Sequence, residues 1–409
     1  MKEFLLTRKL KLVIVSDNEE LIKQQYKFIR DSQYTQYRAL NIAYSTLLSI
    51  FLKSGNLKSE EFQSTYKSLS VRKLDLNFGT GIDTPSIVVR KVKSDFNSDI
   101  KNGLAKGERS GRNYKRSNPL LTHGRDLRFY YDGDDVLIHW VHRITFKVII
   151  GREDKDFEEL KHFLHQCVRG LYRIRESELY FKNKDLMLNL KVSFKKEITY
   201  TPIQNRVLGV DLGLHYPAYC VISDDLGINS HFGDYSDFIR VKLQFRVRKE
   251  RLEKSLSYAN GGHGHKDKCK ALKSLKDKER RWTRNYNHQL SKRIINYAIK
   301  NKCMSVHLED LCSKTMDKRI ISLWSYYELQ VMISYKATLN GINVYKVNSQ
   351  YTSQKCSLCG YINKENRKMQ EVFKCIKCGF ETNADYNASI NISRSKPIKK
   401  FNGETFVNI

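Results

Sequence analysis

The chain has 409 residues and a mass of 48.0 kDa, enough for two or three domains with their own cores, and 40% apolar content with only 5 Pro excludes a disordered scaffold. Lys and Arg number 73 against 44 Asp and Glu, a net charge of +29 with a pI near 9.6, and a surplus of that size repels itself unless a polyanion is the normal partner. Nucleic acid is therefore the first expectation; no apolar run reaches about 18 residues and MKEFLLTRKLKLVIVS alternates apolar with charged side chains, which disfavours membrane insertion and secretion and points to a cytoplasmic protein.

Residues 5–15 alternate as a strand does, and Ser16 with Glu19 has the spacing of a capping box opening a helix. Ile22, Tyr26, Ile29, Tyr37, Leu40, Tyr44, Leu47 and Phe51 then keep the spacing of one helical face. The helical pattern resumes at Glu60–Leu69, meets Gly79, Gly81 and Pro85, and continues from Ile87 towards Ile100. Residues 101–128 hold eight Lys and Arg against Glu108 and Asp126, interleaved with Gly103, Gly107, Gly111 and Tyr114. Guanidinium forks match phosphate and glycine permits close backbone approach, so Lys106, Arg109, Arg112, Lys115, Arg116 and Arg125 are candidate nucleic-acid contacts, with a plain solvated loop as the alternative. From Arg128 the period becomes two, with an Asp132-Gly133 turn and a helix near Phe157–Val168 between candidate strands. These strands predict a small barrel or sandwich that residues 5–15 complete, making the helical block an insertion, and residues 201–205 read as a linker.

In VLGVDLGL, Asp211 interrupts an apolar strand, and a buried carboxylate is costly unless it is paired or binds metal; Gly209 and Gly213 clear space beside it. Considered alone, the element is only moderately specific, and a buried salt bridge is an acceptable alternative account. Residues 239–293 carry 18 Lys and Arg against 5 Asp and Glu and read as a basic helical hairpin broken by GGHGH, with Arg246, Arg248, Arg251, Arg280, Arg281 and Arg284 as nucleic-acid candidates and His263 and His265 as turn residues. A second carboxylate, Glu309, ends the short strand SVHLE, while Asp310 reads as solvated or structural; a third, Asp385, opens the helix ADYNASINIS. Three acids on two strands and a helix start suit two magnesium ions and in-line attack on a phosphodiester. Of 9 Cys, Cys356-x-x-Cys359 and Cys375-x-x-Cys378 give two knuckles for one structural zinc, and the scattered remainder, including Cys312, reads as reduced thiols.

VDLGL, HLEDL, YTSQKCSLCG, FKCIKCGF and ADYNASINI, in that order, resemble the C-terminal half of TnpB proteins and of the compact type V-F CRISPR effectors; YKFIRDSQYTQYRALN and NGLAKGERSGRNYKRSNPLLTHGRDLRFYYD resemble the latter more. The resemblance implies an α+β multidomain prokaryotic protein: an oligonucleotide-binding-like wedge domain (1–15 and 101–200), an inserted helical recognition domain (16–100), a RuvC-like, RNase H-like nuclease domain (206–355 and 381–397), a zinc ribbon (356–380) and a tail (398–409). It also implies guide-RNA-directed DNA cleavage beside a short protospacer-adjacent motif, with Asp211, Glu309 and Asp385 as magnesium-holding catalytic carboxylates, and two copies sharing one guide RNA, for which part of the apolar face at Tyr37–Phe51 is a candidate contact. A guided repressor without cleavage and a resolvase that needs no RNA are the alternatives, the first disfavoured by three intact carboxylates and the second by the basic N-terminal half and the ribbon.

Overall fold

The structure, a computed structural model, describes residues 2–71, 84–150, 157–182, 184–213, 216–258, 265–310 and 326–401; Gly79, Gly81, Leu214, His263, Cys312, residues 402–409 and the side chain of His265 lie outside that description. Two compact units divide the chain, Met1–Lys196 and Glu197–Thr405. Among the described residues no helix is long and apolar enough to cross a membrane.

In the first unit, β1 (Lys2–Ile14) is the spine of an eight-stranded antiparallel sheet formed with β2 (Leu120–Thr122), β3 (Leu127–Asp132), β4 (Asp135–Trp140), β5 (Ile144–Ile149), β6 (Arg173–Ile174), β7 (Ser177–Lys182) and β8 (Asp185–Lys196). It pairs along its length with β8 and, at Lys11–Ile14, with β5. The strand order runs β2-β7-β8-β1-β5-β4-β3, and among the described residues no pairing joins the two end strands. The sheet curls instead: Trp140 Nε1 on β4 donates to Thr122 Oγ1 on β2 at 2.9 Å, and Leu120, Leu127, Ile138, Trp140, Leu10 and Leu188 share one core.

Helix α1 (Glu19–Ser54) is about 54 Å long at 1.5 Å per residue. Its cap is not Ser16 but Asn18, whose side chain accepts from the backbone N–H of Glu20 and Leu21; Ser16 Oγ instead accepts from Asn18 N at 3.3 Å, so the shorter Asx geometry displaces the expected box. Ile22, Tyr26 and Ile29 pack on the sheet core, while Leu40, Tyr44, Leu47 and Phe51 pack on α2 (Glu60–Ser68) and α3 (Thr84–Lys101) through Phe62, Val88, Val92 and Phe96; α4 (Phe157–Val168) adds Phe163 and Leu164 to the sheet core. Leu40, Tyr44 and Leu47 are at most 1% exposed, which corrects the expectation of a subunit contact there: the chain's own helices cover that face.

The basic segment after α3 folds back on the helices and is not a free loop. Asp99, fully buried, accepts from Arg112 Nε and Nη2, both at 2.9 Å, and from Tyr44 Oη at 2.9 Å, while Tyr114 Oη donates to Asp95 at 2.8 Å. Arg112 Nη1 also lies 3.4 Å from Asp95, so all three guanidinium nitrogens are engaged inside the protein and Arg112 is corrected from phosphate contact to structural residue. Lys106, Arg109, Lys115, Arg116 and Arg125 are exposed, Arg109 reaching Asp99 at 3.4 Å and Arg116 lying 4.6 Å over the Tyr34 ring.

The second unit centres on a mixed six-stranded sheet of order β11-β10-β9-β12-β13-β16: β9 (Ile203–Asp211), β10 (Ala218–Ile222), β11 (Asn229–Phe232), β12 (Cys303–Glu309), β13 (Asn343–Val347) and β16 (Pro397–Lys400). Neighbours β9, β12 and β13 are parallel and the outer pairs antiparallel. Residues 203–205, expected in a linker, already belong to β9, because Ile203 pairs with Cys303 and their backbones claim each other. One face of the sheet, through Leu208, Val210, Val306 and Leu308, buries against α6 (His265–Lys300) and α7 (Tyr326–Leu339), with Phe238 of α5 (Tyr235–Ser257) in the same core. The other face receives α8 (Ala384–Arg394), and between β13 and α8 the chain forms the small hairpin β14 (Val372–Lys374) and β15 (Glu381–Asn383).

The Asp99 network gives a test. Removing one partner of a buried pair leaves an uncompensated charge, so Arg112→Ala is expected to lower unfolding free energy by about 3–5 kcal/mol in urea titration. Arg112 hydrogen bonding holds the Asp99 carboxyl below its usual 3.8, so this stabilisation is present above that pH and is lost as acid titrates through the lower folded value. An unchanged midpoint for Arg112→Ala would remove the network from any role in stability.

Candidate active site and metal centre

Strand register sets the site. Asp211 pairs with Tyr219, Tyr219 pairs with His231, and the parallel pairing of Leu308 with Val210 sets Glu309 beside Asp211. Cross-strand partners share a face, so Glu309, Asp211, Tyr219 and His231 form one row over four strands. Two residues back, His307, Gly209 and Val221 form the next row on the same face, and α8 lies over it. The approach there is close: a Cβ on Gly209 would sit 2.3 Å from the Ser389 carbonyl oxygen and 2.6 Å from Ser393, so only glycine admits the helix.

That docking carries Asp385, in the first turn of α8, to the same place. A Cβ on Gly213 would be 3.5 Å from Asp385 Oδ2. Asn383 caps the helix by accepting from the N–H groups of Asp385 and Tyr386, and Ser389 Oγ donates to the Tyr219 carbonyl at 3.0 Å. Asn387 and Asn391, one turn apart, hold the segment entering the cysteine region: Asn387 accepts from Ser357 N at 2.9 Å, and both donate to the Lys355 carbonyl, at 2.9 and 2.7 Å. ADYNASINI thus has one face for the sheet and another for the knuckle.

Asp211 and Asp385 are buried and Glu309 is nearly so. Burial first, then the charges of Glu309 and Asp385, push the Asp211 carboxyl well above the ordinary range, and burial raises Glu309 also. Among the described residues opposing cations are few. Arg367 Nη2 is 3.4 Å from Asp385 Oδ1 and favours the ionised forms of Asp211 and Glu309, while Thr352 Oγ1 donates to Glu309 Oε1. Lys346 on β13, whose ammonium burial lowers to about 8, bonds the Glu309 carbonyl at 3.1 Å and Gln330. A cluster of three buried acids with one guanidinium at its edge is short of positive charge, and its all-oxygen donors suit a hard divalent cation. Asp310 lies outside it, paired with Lys399 at 2.6 Å, which fits the structural role expected of it.

Arg367, Thr352 and Lys346 were not among the residues expected here. Thr352 belongs to YTSQ, the motif signal that offered it; nothing in the sequence around Arg367 or Lys346 marks them, because each reaches the site from an element distant in the chain.

Among the described residues Cys356, Cys359, Cys375 and Cys378 form a group that could hold a metal ion, their sulfurs all lying within 4.8 Å of one another. The pairs Cys356–Cys378 and Cys359–Cys375 stand 3.7 and 3.6 Å apart, too far for a disulfide and close to the ~3.8 Å edge of a tetrahedron with 2.3 Å metal–sulfur bonds. The two knuckles repeat one geometry: Gly360 and Gly379 have φ of 75° and 72° and donate to the carbonyls of Cys356 and Cys375. The four thiols are not alike: against desolvation, the backbone N–H groups of Cys378 and Lys377 hold the Cys375 thiol down to about 7, whereas burial pushes Cys356 up and Cys378 is raised also.

On the basic hairpin, Trp282 of α6 stacks on Phe238 of α5 at 5.4 Å and Lys242 pairs with Glu279. Arg246, Arg248, Arg251, Arg280 and Arg281 are exposed and Arg284 is half-buried; Arg246 pairs with Glu250 at 2.9 Å along its own helix.

Several known proteins resemble this chain. The family model described as "Cas12f1-like, TNB domain" matches residues 326–392. A CRISPR-associated endodeoxyribonuclease Cas12f1 of Sulfoacidibacillus thermotolerans is 35% identical over 238 residues, covering 57% of this chain and 56% of that protein. A TnpB-like protein of Methanocaldococcus jannaschii is 26% identical over 292 residues, 67% of this chain and 96% of its own. The chain spans about half the length of the Cas12f1 relatives it matches. In fold it resembles the protein in a cryo-EM structure of a Cas12f1-sgRNA-target DNA complex, with a TM-score of 0.70 and 20% identity over 91% of this chain and 85% of that one.

The charge-poor carboxylate cluster gives a prediction that needs no substrate. Since the folded carboxyl of Asp211 lies above its unfolded value of 3.8, its contribution to stability is present below that pH and is lost as pH rises through the folded value. In chelator at neutral pH, Asp211→Asn should therefore raise the melting midpoint, by about 2–4 °C for each kcal/mol of repulsion removed, and the gain should vanish near pH 4. A midpoint that falls equally at both pH values would mean that the three carboxylates do not repel one another.

Proposed function

We propose that this chain, which is related to the miniature type V-F effectors and to TnpB, is an RNA-guided DNA endonuclease. The observation that carries the reading is the convergence of Asp211, Glu309 and Asp385 at one end of a six-stranded sheet of order 3-2-1-4-5-6, with three antiparallel strands, two further strands parallel to the third, and an antiparallel edge strand, which supports an RNase H-like, RuvC-type nuclease domain in Glu197–Thr405. In the same reading Met1–Lys196 is the wedge domain with its inserted helical recognition domain, and 356–380 is the ribbon that engages the target. The guide RNA reads sequence by pairing and the protein reads a short adjacent motif and duplex shape, which accounts for a net charge of +29.

Asp211, Glu309 and Asp385 would hold two magnesium ions, which supply Lewis-acid activation of water and charge stabilisation at the phosphate. Thr352 fixes the Glu309 carboxylate, and Arg367 sets a guanidinium where phosphate charge accumulates. Cys356, Cys359, Cys375 and Cys378 would hold one zinc ion; four thiols leave no open position, so this metal folds the ribbon and takes no part in hydrolysis. A transposon-associated guided nuclease of the TnpB kind uses the same site. The non-cleaving repressor is disfavoured because all three carboxylates are present and assembled.

The direct test is cleavage. In the RNA-loaded protein with magnesium, Asp211→Ala is expected to cut matched DNA at least about 10³-fold more slowly while target binding by gel shift changes little. Cutting at the normal rate would overturn the assignment. Cys375→Ser is expected to lose stoichiometric zinc by elemental analysis and to weaken target binding, since thiolate-bound metal contributes folding energy; protein purified in reductant with no zinc would refute that site.

A further inference from the structure

The row that holds Glu309 and Asp211 continues into rings. Tyr219 on β10 is one strand from Asp211 and His231 on β11 is two, about 5 and 10 Å across the sheet at normal strand spacing and on the face that carries the carboxylates. Tyr216 closes on both, its ring 4.4 Å from His231 and 5.7 Å from Tyr219, and Tyr386, next in chain to Asp385, packs edge-on to Tyr219 at 6.0 Å. Four aromatic rings therefore border the carboxylate cluster on the side away from Glu309.

Their surroundings are not those of core aromatics. None belongs to the apolar core of this unit or packs against it among the described residues; Tyr216, Tyr219 and Tyr386 are half-buried and His231 is exposed. Two of the rings are tethered at their polar ends, Tyr219 Oη donating to Asn229 Oδ1 at 3.3 Å and Tyr386 Oη to the Leu226 carbonyl at 3.2 Å, which fixes the rings. None of the four is a lysine or arginine, and ring faces next to a phosphodiester site fit the flat face of a base.

Resting on the nuclease reading above, we infer that Tyr216, Tyr219, His231 and Tyr386 form a stacking platform that holds an unpaired base of the DNA strand beside the phosphate to be cut. Stacking is indifferent to base identity, as required where pairing elsewhere supplies the sequence, and a clamped base fixes its own backbone against the carboxylates. Since the tethered rings act on binding, the platform should appear mainly in KM.

The experiment uses the RNA-loaded protein and single-stranded DNA complementary to its guide, with one abasic residue moved along the strand. One position next to the cut should raise KM about tenfold with little change in kcat. The penalty should disappear in the combined Tyr216→Leu and His231→Ala variant, and Tyr216→Trp should retain it. In the Asp211→Asn complex, 2-aminopurine at that position should lose fluorescence on binding, and the combined variant should abolish the quench. Cleavage with no position-specific penalty, the same penalty in the combined variant, or an unchanged quench overturns the platform alone. If the unmodified complex cuts no DNA, the nuclease reading falls and the platform with it.

Discussion

The close approach of α8 to β9 at Gly209 is the contact on which the site depends. Asp211 and Glu309 are neighbours because their strands pair in parallel, but Asp385 joins them only because a helix can lie within van der Waals range of a strand backbone that carries no Cβ. The helix is then pinned from several directions: Ser389 to the Tyr219 carbonyl, the Ile392 carbonyl to His307 Nδ1 at 3.3 Å, and Asn387 and Asn391 to the chain entering the first knuckle. A larger side chain at position 209 would lift the helix and take the third carboxylate with it.

Two buried acids show how differently one residue type can be used. Asp99 is given a bidentate guanidinium and a tyrosine hydroxyl, so its charge is matched and its carboxyl lies low; its role is to hold a basic segment against two helices. Asp211 is given, among the described residues, two further acids and a single shared arginine, and burial with those acids sets its carboxyl high. Burial alone raises both. What separates them is the count of opposite charges within reach, and the unmatched cluster is where a cation gains most on entry.

Much of this was legible in the chain and some was not, for physical reasons. Asp211, Glu309 and Asp385 stand out because each sits where periodicity demands an apolar or capping residue, and the four cysteines because a knuckle is a local structure with fixed spacing. The helices at 60–68 and 157–168 and the strand at 218–222 are likewise local patterns. Long-range pairing is what sequence periodicity cannot express. Arg112 reads as one more cation in a basic loop until Asp95 and Asp99 are seen beside it, and the apolar face of α1 reads as unpartnered until α2 and α3 close over it. Residues 203–205 read as linker because their strand partner lies about a hundred residues away. The row from Glu309 to His231 needs the register of four strands at once.

The cysteine cluster and the carboxylate cluster share no residue, yet one helix and one arginine connect them. Asn387 and Asn391 fasten α8 to the chain at Thr352, Lys355 and Ser357, and the same chain supplies the hydroxyl that bonds Glu309. Arg367 lies between the two knuckles in sequence and brings its charge to Asp385. An ordered ribbon therefore gives the carboxylates two things they lack on the sheet alone, a fixed orientation for Glu309 and a cation at their edge. Loosening the knuckles would withdraw the Arg367 charge and free the chain that carries Thr352, while Asp211 and Glu309 keep their places on the strands.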